Sequence, residues 1–535
     1  MNTTSNWFHL FVFVLLSFFR LLWMPVSVGA LSSHSNNNNN NNNNHAMRSR
    51  YYSSSSSSNN NNRHKLLVTL SESTWRLAAT RHAERIRSIL GPGLLERRQQ
   101  QQQSFTKNKF NNNDRQRTQF VDEWTGLDPK NPIFNFMIEY YGIKGSKGTR
   151  RLARWSPDPA LLLTGMTTME ENGAGTTDRI ITTTTPTSVV DDTVYESAMK
   201  ASNGEGGIFL ENAGVDDLGG TLHLRGAIPV MSENNPDKLH GIIYNPTLFY
   251  NRYDDTHDTT AQDRTQLLQK IAPFQWYKSI LETTLHSEPI LHCHGLHEFA
   301  MMYHPPGSPP PPSAKYQASL PLRLSREVIN ETVERKGIHC THVDALRFFA
   351  PDAAPLNHHG ASLQRIDQIR LEQKACVHAH MDLFKIALKL QPYIDADLMV
   401  DILQLSIRAR TLDVAASPYD ATAYGVGIVP VETKEGRKQY REIQRTLMED
   451  AEPIRLQLLQ AYNTFLQLAF DPTLLDQSAV EIDGRKKADG KLIERGDIKT
   501  GFAGKERFAT AEPGGLPWRR SLIDSSSSSS TTTNS

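Results

Sequence analysis

The strongest constraint on how this chain can fold is the set of long asparagine, serine, glutamine and threonine tracts that occupy both of its ends. Such tracts bury too little apolar surface to offset the entropy lost on ordering, so no core can be built from them. What remains, roughly 120–470, is the size of one large domain or two closely packed ones. Length alone, at 535 residues, would have allowed three or four. The formal charge of +1 advertises no global attraction to nucleic acid or an anionic membrane, so any basic surface has to be local.

The first 117 residues read as a leader. An apolar run over 7–22, interrupted only by His9 and Arg20, ends near the small-residue site Val28-Gly29-Ala30. It is short for a membrane span, so 1–30 is expected to be a removable signal peptide and no stable span is expected in the mature chain. Residues 31–71 contain no Asp or Glu, much Ser and Asn, and scattered Arg48, Arg50, Arg63 and Lys65, which is transit-peptide composition. A signal peptide joined to a transit-like segment resembles the bipartite leaders of algae with complex plastids. Leu31 departs from the Phe usual after the cut at Ala30. The resemblance implies a plastid destination, with secretion or the endomembrane system as the alternative. The three cysteines, Cys293, Cys340 and Cys376, are too few and too odd in number for a disulfide framework and favour a reducing compartment.

Periodicity predicts a helix over 72–98, with Trp75, Ala78, Ala79, His82, Ile86, Ile89 and Leu90 on one stripe, placed within the leader. The globular region is expected over 118–475. Within it, 131–141 suits a short helix, 160–164 and 207–211 suit strands, and the polar, Thr-rich 167–206 suits an exposed insertion. Amphipathic stripes predict helices over 261–285, 371–390 and 395–412, and one long helix or two over 433–470. Residues 476–535 read as a disordered tail. The expected fold is mainly α-helical with a small β element, in a single large domain. No Gly-rich nucleotide fingerprint, nucleophile elbow or internal repeat is present.

Three clusters hold every cysteine among histidines: His292-Cys293-His294-Gly295-Leu296-His297-Glu298, His339-Cys340-Thr341-His342-Val343-Asp344 and Cys376-Val377-His378-Ala379-His380-Met381-Asp382. Imidazole, thiolate and carboxylate are the ligands of zinc or iron. His294, His297, His342, His378 and Asp382 are the expected ligands if a metal is held. His378 and Asp382 lie one turn apart on a helix, where both can reach one ion or one substrate. The His297-Glu298 pair lacks the second histidine of a zinc-protease helix, since the next is His304. Buried hydrogen-bonding histidines and core cysteines would explain the same clusters. Asp344 and Arg347, three apart, suit a carboxylate that activates water beside a guanidinium that grips an anion, or a simple intrahelical ion pair. Asp413, Tyr419 and Asp420 fall around a turn at Pro418 and suit a pocket rim. Lys144, Lys147, Arg150 and Arg151 form an acid-free, Gly-rich basic run that suits a phosphate-binding loop, or a solvated one.

Together these motifs resemble a bacterial family, common in actinobacteria, labelled 3-methyladenine DNA glycosylase. The residues behind the resemblance are NPIFNFMIEYY, RRLARWSPDP, HGLHEFAMMY, LPLRL, CTHVDALRFFAP, LEQKACVHAHMDLFKIALKLQP, LDVAASPYD and VPVETKEGRKQY, in order over most of 131–440. It implies site positions at His297, Glu298, His342, Asp344, Arg347, Glu372, His378, Asp382, Lys385, Asp413 and Asp420. On this basis one expectation is an N-glycosylase acting on alkylated DNA, with Asp344 or Asp382 stabilising an oxocarbenium-like state. Tyr303, Phe348, Phe349 or Trp155 would then stack the base, and the basic run would hold phosphates. The competing expectation is a metal-dependent enzyme acting on a small metabolite, with zinc or iron held by the His/Glu/Asp set. A non-enzymatic scaffold with buried polar networks is the third.

Overall fold

The computed structural model describes residues 67–95, 124–158, 192–251, 261–308, 320–482 and 498–500, apart from positions 217, 219, 221, 223 and 336. The signal and transit segments up to residue 66, the strand expected over 160–164 and the tail beyond 500 lie outside the described residues.

The first described element is strand β1 (Leu67–Leu70), followed by helix α1 (Glu72–Leu90). Ser71 caps α1 by accepting a hydrogen bond from the Thr74 amide, one of the donors a helix start leaves unpaired. The expected stripe is the buried one: Trp75, His82, Ala83, Ile86 and Leu90 are inside. Trp75 Nε1 donates to the Glu211 carbonyl at 2.7 Å, and the His82 ring nitrogen meets the Leu152 carbonyl at 2.9 Å. Trp75, Ala83, Ile86 and Leu90 belong to the main core, so α1, expected in the leader before 118, packs into the globular core instead. The composition of the segment hid a strand of only four residues, and a helix next to low-complexity sequence was mistaken for part of it.

Two short helices follow, α2 (Asn135–Glu139) and α3 (Gly145–Ala153), then α4 (Asp192–Ala201) and the strands β2 (Gly207–Glu211), β3 (Ala227–Ser232) and β4 (Asn235–Tyr244). The sheet runs β1-β2-β4-β3, parallel between β1 and β2 and antiparallel elsewhere. Strand β2 reads as a continuous apolar run, Gly-Ile-Phe-Leu, because both of its faces are covered. Ile208 and Leu210 face the main core, while Phe209 packs with Ala198 of α4, Val230, Ile243 and Leu248. Helix α4 thus covers the second face of the sheet. The exposed insertion expected over 167–206 is corrected over its last third, and 167–191 lie outside the described residues.

The helical part comprises α5 (Pro246–Asn251), α6 (Ala261–Leu285), α7 (His297–Met302), α8 (Arg326–Glu334), α9 (Val343–Leu346), α10 (Asp367–Leu371), α11 (Val377–Leu390), α12 (Ala396–Ala415), α13 (Lys434–Ala469) and α14 (Pro472–Ser478). Helix α11 is buried almost all round, as a helix must be when α6, α12 and α13 all pack on it. Helix α13 is one element with Pro453 inside it. Beyond 475 a two-stranded ribbon, β5 (Val480–Ile482) with β6 (Ile498–Thr500), replaces part of the expected tail. The fold is mainly α-helical with a small β element, as composition and periodicity imply. Among the described residues no helix is long and apolar enough to cross a membrane.

Candidate functional site

Helix spacing puts His378, Asp382 and Lys385 of α11 along one face, and that face forms the floor of a cavity of about 670 Å³ including its mouth. Three other segments close over it. His297 and Glu298 open α7, after a left-handed turn at His294 (φ +51°) and Gly295 (φ +65°). A Cβ at Gly295 would stand 3.1 Å from the Tyr440 hydroxyl, so the turn that delivers His297 requires glycine there. His342 is the N-cap of α9, its ring accepting from the Ala345 amide through Nδ1 at 3.2 Å. Arg410 of α12 supplies another wall, and Asp413, three residues on, is buried against it as its ion-pair partner.

His297 Nε2 lies 3.2 Å from His378 Nε2 and 3.4 Å from Asp413 Oδ1, and His378 Nε2 is 4.0 Å from the same oxygen. Asp413 is fully buried, and its Oδ1 has no hydrogen-bond partner among the described residues. Its Oδ2 accepts from Arg410 Nη1, which also donates to Glu298 Oε1 at 3.1 Å. Three donor atoms around a tetrahedral zinc at 2.0–2.2 Å would stand roughly 3.3–3.6 Å apart. Two imidazole nitrogens and a carboxylate oxygen that accepts no hydrogen bond converge at about this spacing, as the ligands of one ion would. Burial pushes His378 well down, helped by the positive charge of His297 and His342. Burial also lowers His297, but Asp413 and Glu298 outweigh it and raise that ring.

A second group, His342, Glu372 and Asp382, offers ligand atoms within 4.8 Å of one another, yet most of these atoms are already engaged. Because His342 Nδ1 accepts the α9 cap, the neutral ring carries its proton on Nε2, which donates to Asp382 Oδ2 at 3.3 Å. Tyr141 OH donates to Asp382 Oδ1 at 3.1 Å, Lys385 Nζ is 3.5 Å from Oδ2, and Gln368 Nε2 donates to Glu372 Oε2 at 2.6 Å. Burial acts to raise Asp382, but Lys385 and His342 hold it far below the carboxylate range. This group reads as a proton-holding dyad beside the first one, with His342 and His378 rings stacked at 5.0 Å.

The expected residues His297, Glu298, His342, Asp344, Arg347, Phe348, His378, Asp382 and Lys385 all line this one cavity. Others do not reach it. His294 turns toward the Tyr440 ring and leaves the ligand set, where Asp413 takes its place. Asp413 itself is interior, not on a rim, because its turn of α12 faces α7 and α11. Tyr303 OH donates to Glu334 Oε1 at 2.7 Å, Phe349 is core, Tyr419 pairs beside Leu322 and half-buried Asp420 accepts from the Thr422 amide. Asp344 bonds Arg365 at 3.1 Å and Lys385 at 3.2 Å rather than Arg347, whose guanidinium lies over the Phe348 ring.

The basic run is the largest departure, being a helix, α3, and not a loop. Gly148 serves packing, since a Cβ there would come 2.7 Å from the Ile143 backbone, while Gly142 (φ +71°) and Gly145 (φ +56°) supply left-handed turns before it. Arg150 donates to the Ser146 carbonyl and Arg151 to Gln391 Oε1, while Lys144 and Lys147 are exposed. None of the four lines the cavity with the histidines.

Sequence reasoning missed Arg410, Arg365 and Met301. One signal was present: an arginine and an aspartate three apart interrupt the apolar stripe of α12, where a charge is tolerated only if paired. Comparison of the chain with protein-family models, with curated proteins and with solved structures finds no match.

Proposed function

We propose that the chain is a metal-dependent enzyme acting on a small, flat, polar metabolite, with one zinc or iron ion held by His297, His378 and Asp413. The observation behind this reading is the convergence of His297 Nε2, His378 Nε2 and the unpartnered Asp413 Oδ1 within 3.2–4.0 Å in a buried site. A bound ion with three protein ligands and an open position would polarise a substrate oxygen or lower the pKa of a water. The chain's own groups then divide the work. Arg410 holds Asp413 and Glu298 in place as an outer partner, the role such contacts play at metal sites. His342 and Asp382 give or take a proton at His342 Nε2. The aromatic wall of Phe136, Tyr140, Tyr141 and Phe348 suits a planar ring, and Arg347 at the mouth suits an anionic group on it. The leader composition would place this activity in a plastid.

Elemental analysis of the purified full chain should find about one equivalent of zinc or iron. His378→Ala and Asp413→Ala should each reduce it more than tenfold, while Lys385→Met should not. A wild-type chain that stays metal-free after incubation with either ion in excess would overturn the proposal.

The family resemblance supports a second reading, excision of an alkylated base from DNA. The specific observation in its favour is the same aromatic wall, with Tyr140 and Phe348 edge to face at 5.5 Å, which would receive an extruded base. The position of α3 away from the cavity leaves that reading without its expected phosphate contacts. Release of free base from methylated DNA, abolished by Asp382→Asn and insensitive to chelators, would favour it over the metal reading.

A further inference from the structure

We infer that a second cavity, lined by Arg151, Arg154, Trp155, Arg225 and Gln391, binds a phosphorylated small molecule that carries a planar ring, of mononucleotide size. The cavity measures about 560 Å³ including its mouth, within the range of small-ligand sites. Gln391 ends α11 and His378 begins it, so this cavity stands roughly 20 Å from the histidines. Among the described residues none lines both cavities, and the proposed metal takes no part.

Buried groups tie together the three segments that bring the arginines to one place. Ser156 Oγ donates to the Ile394 carbonyl at 3.2 Å, which fixes the chain after α3 against the chain after α11. Tyr244 OH donates to the Pro392 carbonyl at 3.1 Å, and its ring stacks on Tyr393 at 5.4 Å. Tyr393 OH in turn donates to the Arg225 carbonyl. Leu222 and Leu224, which lead into β3, line the cavity and belong to the main core.

The guanidinium groups are positioned without using all their donors. Arg151 Nε donates to Gln391 Oε1 at 3.1 Å and Nη2 to the Leu388 carbonyl at 3.5 Å, which leaves Nη1 without a partner among the described residues. Arg154 Nε lies 3.0 Å from Oδ2 of buried Asp216, whose Oδ1 accepts from the Gly220 amide at 2.8 Å. A Cβ at Gly220 would stand 2.6 Å from Arg154 Nη2, so glycine there makes room for the guanidinium. No acid is among the described residues that line the cavity. Burial lowers Arg151, and Lys389 on the last turn of α11 is lowered by burial and then by the Arg225 charge. Arginine keeps its charge in a protein, so this concave wall concentrates positive potential that an anion would neutralise.

A guanidinium fork matches phosphate oxygens in pairs, and the Trp155 indole in the same wall offers a surface to a ring. Lys144 and Lys147 lie outside the cavity. The cations therefore form a pocket and not the extended track that a nucleic-acid backbone follows.

The test is calorimetric titration of the full-length chain with adenosine monophosphate, inorganic phosphate and a short DNA duplex in one low-salt buffer. One equivalent of the nucleotide should bind, at least tenfold more tightly than phosphate. The double variant Arg151→Met, Arg154→Met should weaken both at least tenfold. Trp155→Leu should weaken the nucleotide at least fivefold and leave phosphate unchanged. Arg347→Ala, at the mouth of the histidine-lined cavity, should change neither. Absence of saturable nucleotide binding, or wild-type affinity in the double variant, overturns the inference. Nucleotide binding lost in Arg347→Ala overturns it too, by assigning the ligand to the other cavity. Phosphate that binds as tightly as the nucleotide removes the ring, and a preference for the duplex that the double variant abolishes replaces the small molecule by nucleic acid. A double variant that loses circular dichroism is replaced by Arg225→Met alone, which must weaken the nucleotide at least threefold.

Discussion

Asp413 shows how much one residue's surroundings decide. One of its oxygens is held by Arg410, and the other faces two imidazoles without a hydrogen bond. A buried unpaired carboxylate oxygen is costly, and such a cost persists where a ligand repays it. Asp344 is the opposite case, fully engaged by Arg365 and Lys385. Burial pushes its carboxyl up, but the two cations outweigh that and hold it at about 2. Because this folded-state value is depressed, the stabilisation is present above the ordinary carboxylate pKa and is lost as pH falls from about 4 to about 2. Asp344→Asn should therefore cost about 1.5–3 kcal/mol at neutral pH, and the difference from wild type should shrink over that acid window in urea titrations. His342 gives a second residue-level expectation. Nitrogen-15 NMR of the metal-free chain should show its Nδ1 bare and Nε2 protonated at high pH, with the pattern lost in Asp382→Ala if the dyad sets the tautomer.

Among the elements, α1 carries the clearest consequence. It docks Trp75, Ile86 and Leu90 into the main core, and β1 before it is, among the described residues, an edge strand paired with β2. A chain beginning at Phe120 should then be insoluble or molten, whereas one beginning at Arg63 should melt cooperatively. Trp75→Ala should cost about 3–5 kcal/mol, measured by chemical denaturation. If the chain from Phe120 melts as sharply as the longer one, α1 is peripheral despite its burial. Helix α11 makes the complementary point. Its apolar residues were readable as core, but its polar face points into a cavity whose other walls come from α2, α7, α9 and α12.

For the whole molecule, a ligand that binds only the folded state stabilises by mass action. Zinc at about a hundred times its Kd should add about 2.7 kcal/mol, seen as a raised Tm that a chelator reverses. That increment should disappear in His378→Ala and persist in Asp344→Asn. A Tm indifferent to both zinc and chelator would remove the stabilising ion from the account.

The sequence by itself determined the local features. Low-complexity composition bounded where a core can form, apolar periodicity located α1, α6, α12 and α13, and the unusual density of histidine, cysteine and acid around 293, 340 and 378 named the segments that meet at the cavity. These are properties of neighbouring residues, and hydrophobic spacing records them. Tertiary structure decided what spacing cannot encode. Whether α1 joins the core depends on partners as far off as Leu152 and Glu211, 70 and 136 residues from the side chains they meet. The glycines of 142–148 could serve a phosphate loop or a tight packing contact equally well until Ile143 is seen beside Gly148. His294 and His297 are only three residues apart, yet the left-handed turn between them sends one ring to Tyr440 and the other to His378. Which oxygen of Asp413 is left unpaired, and that it faces both imidazoles, follows from how α7, α11 and α12 cross. A ligand set is a distance between atoms, and only the packed chain sets that distance.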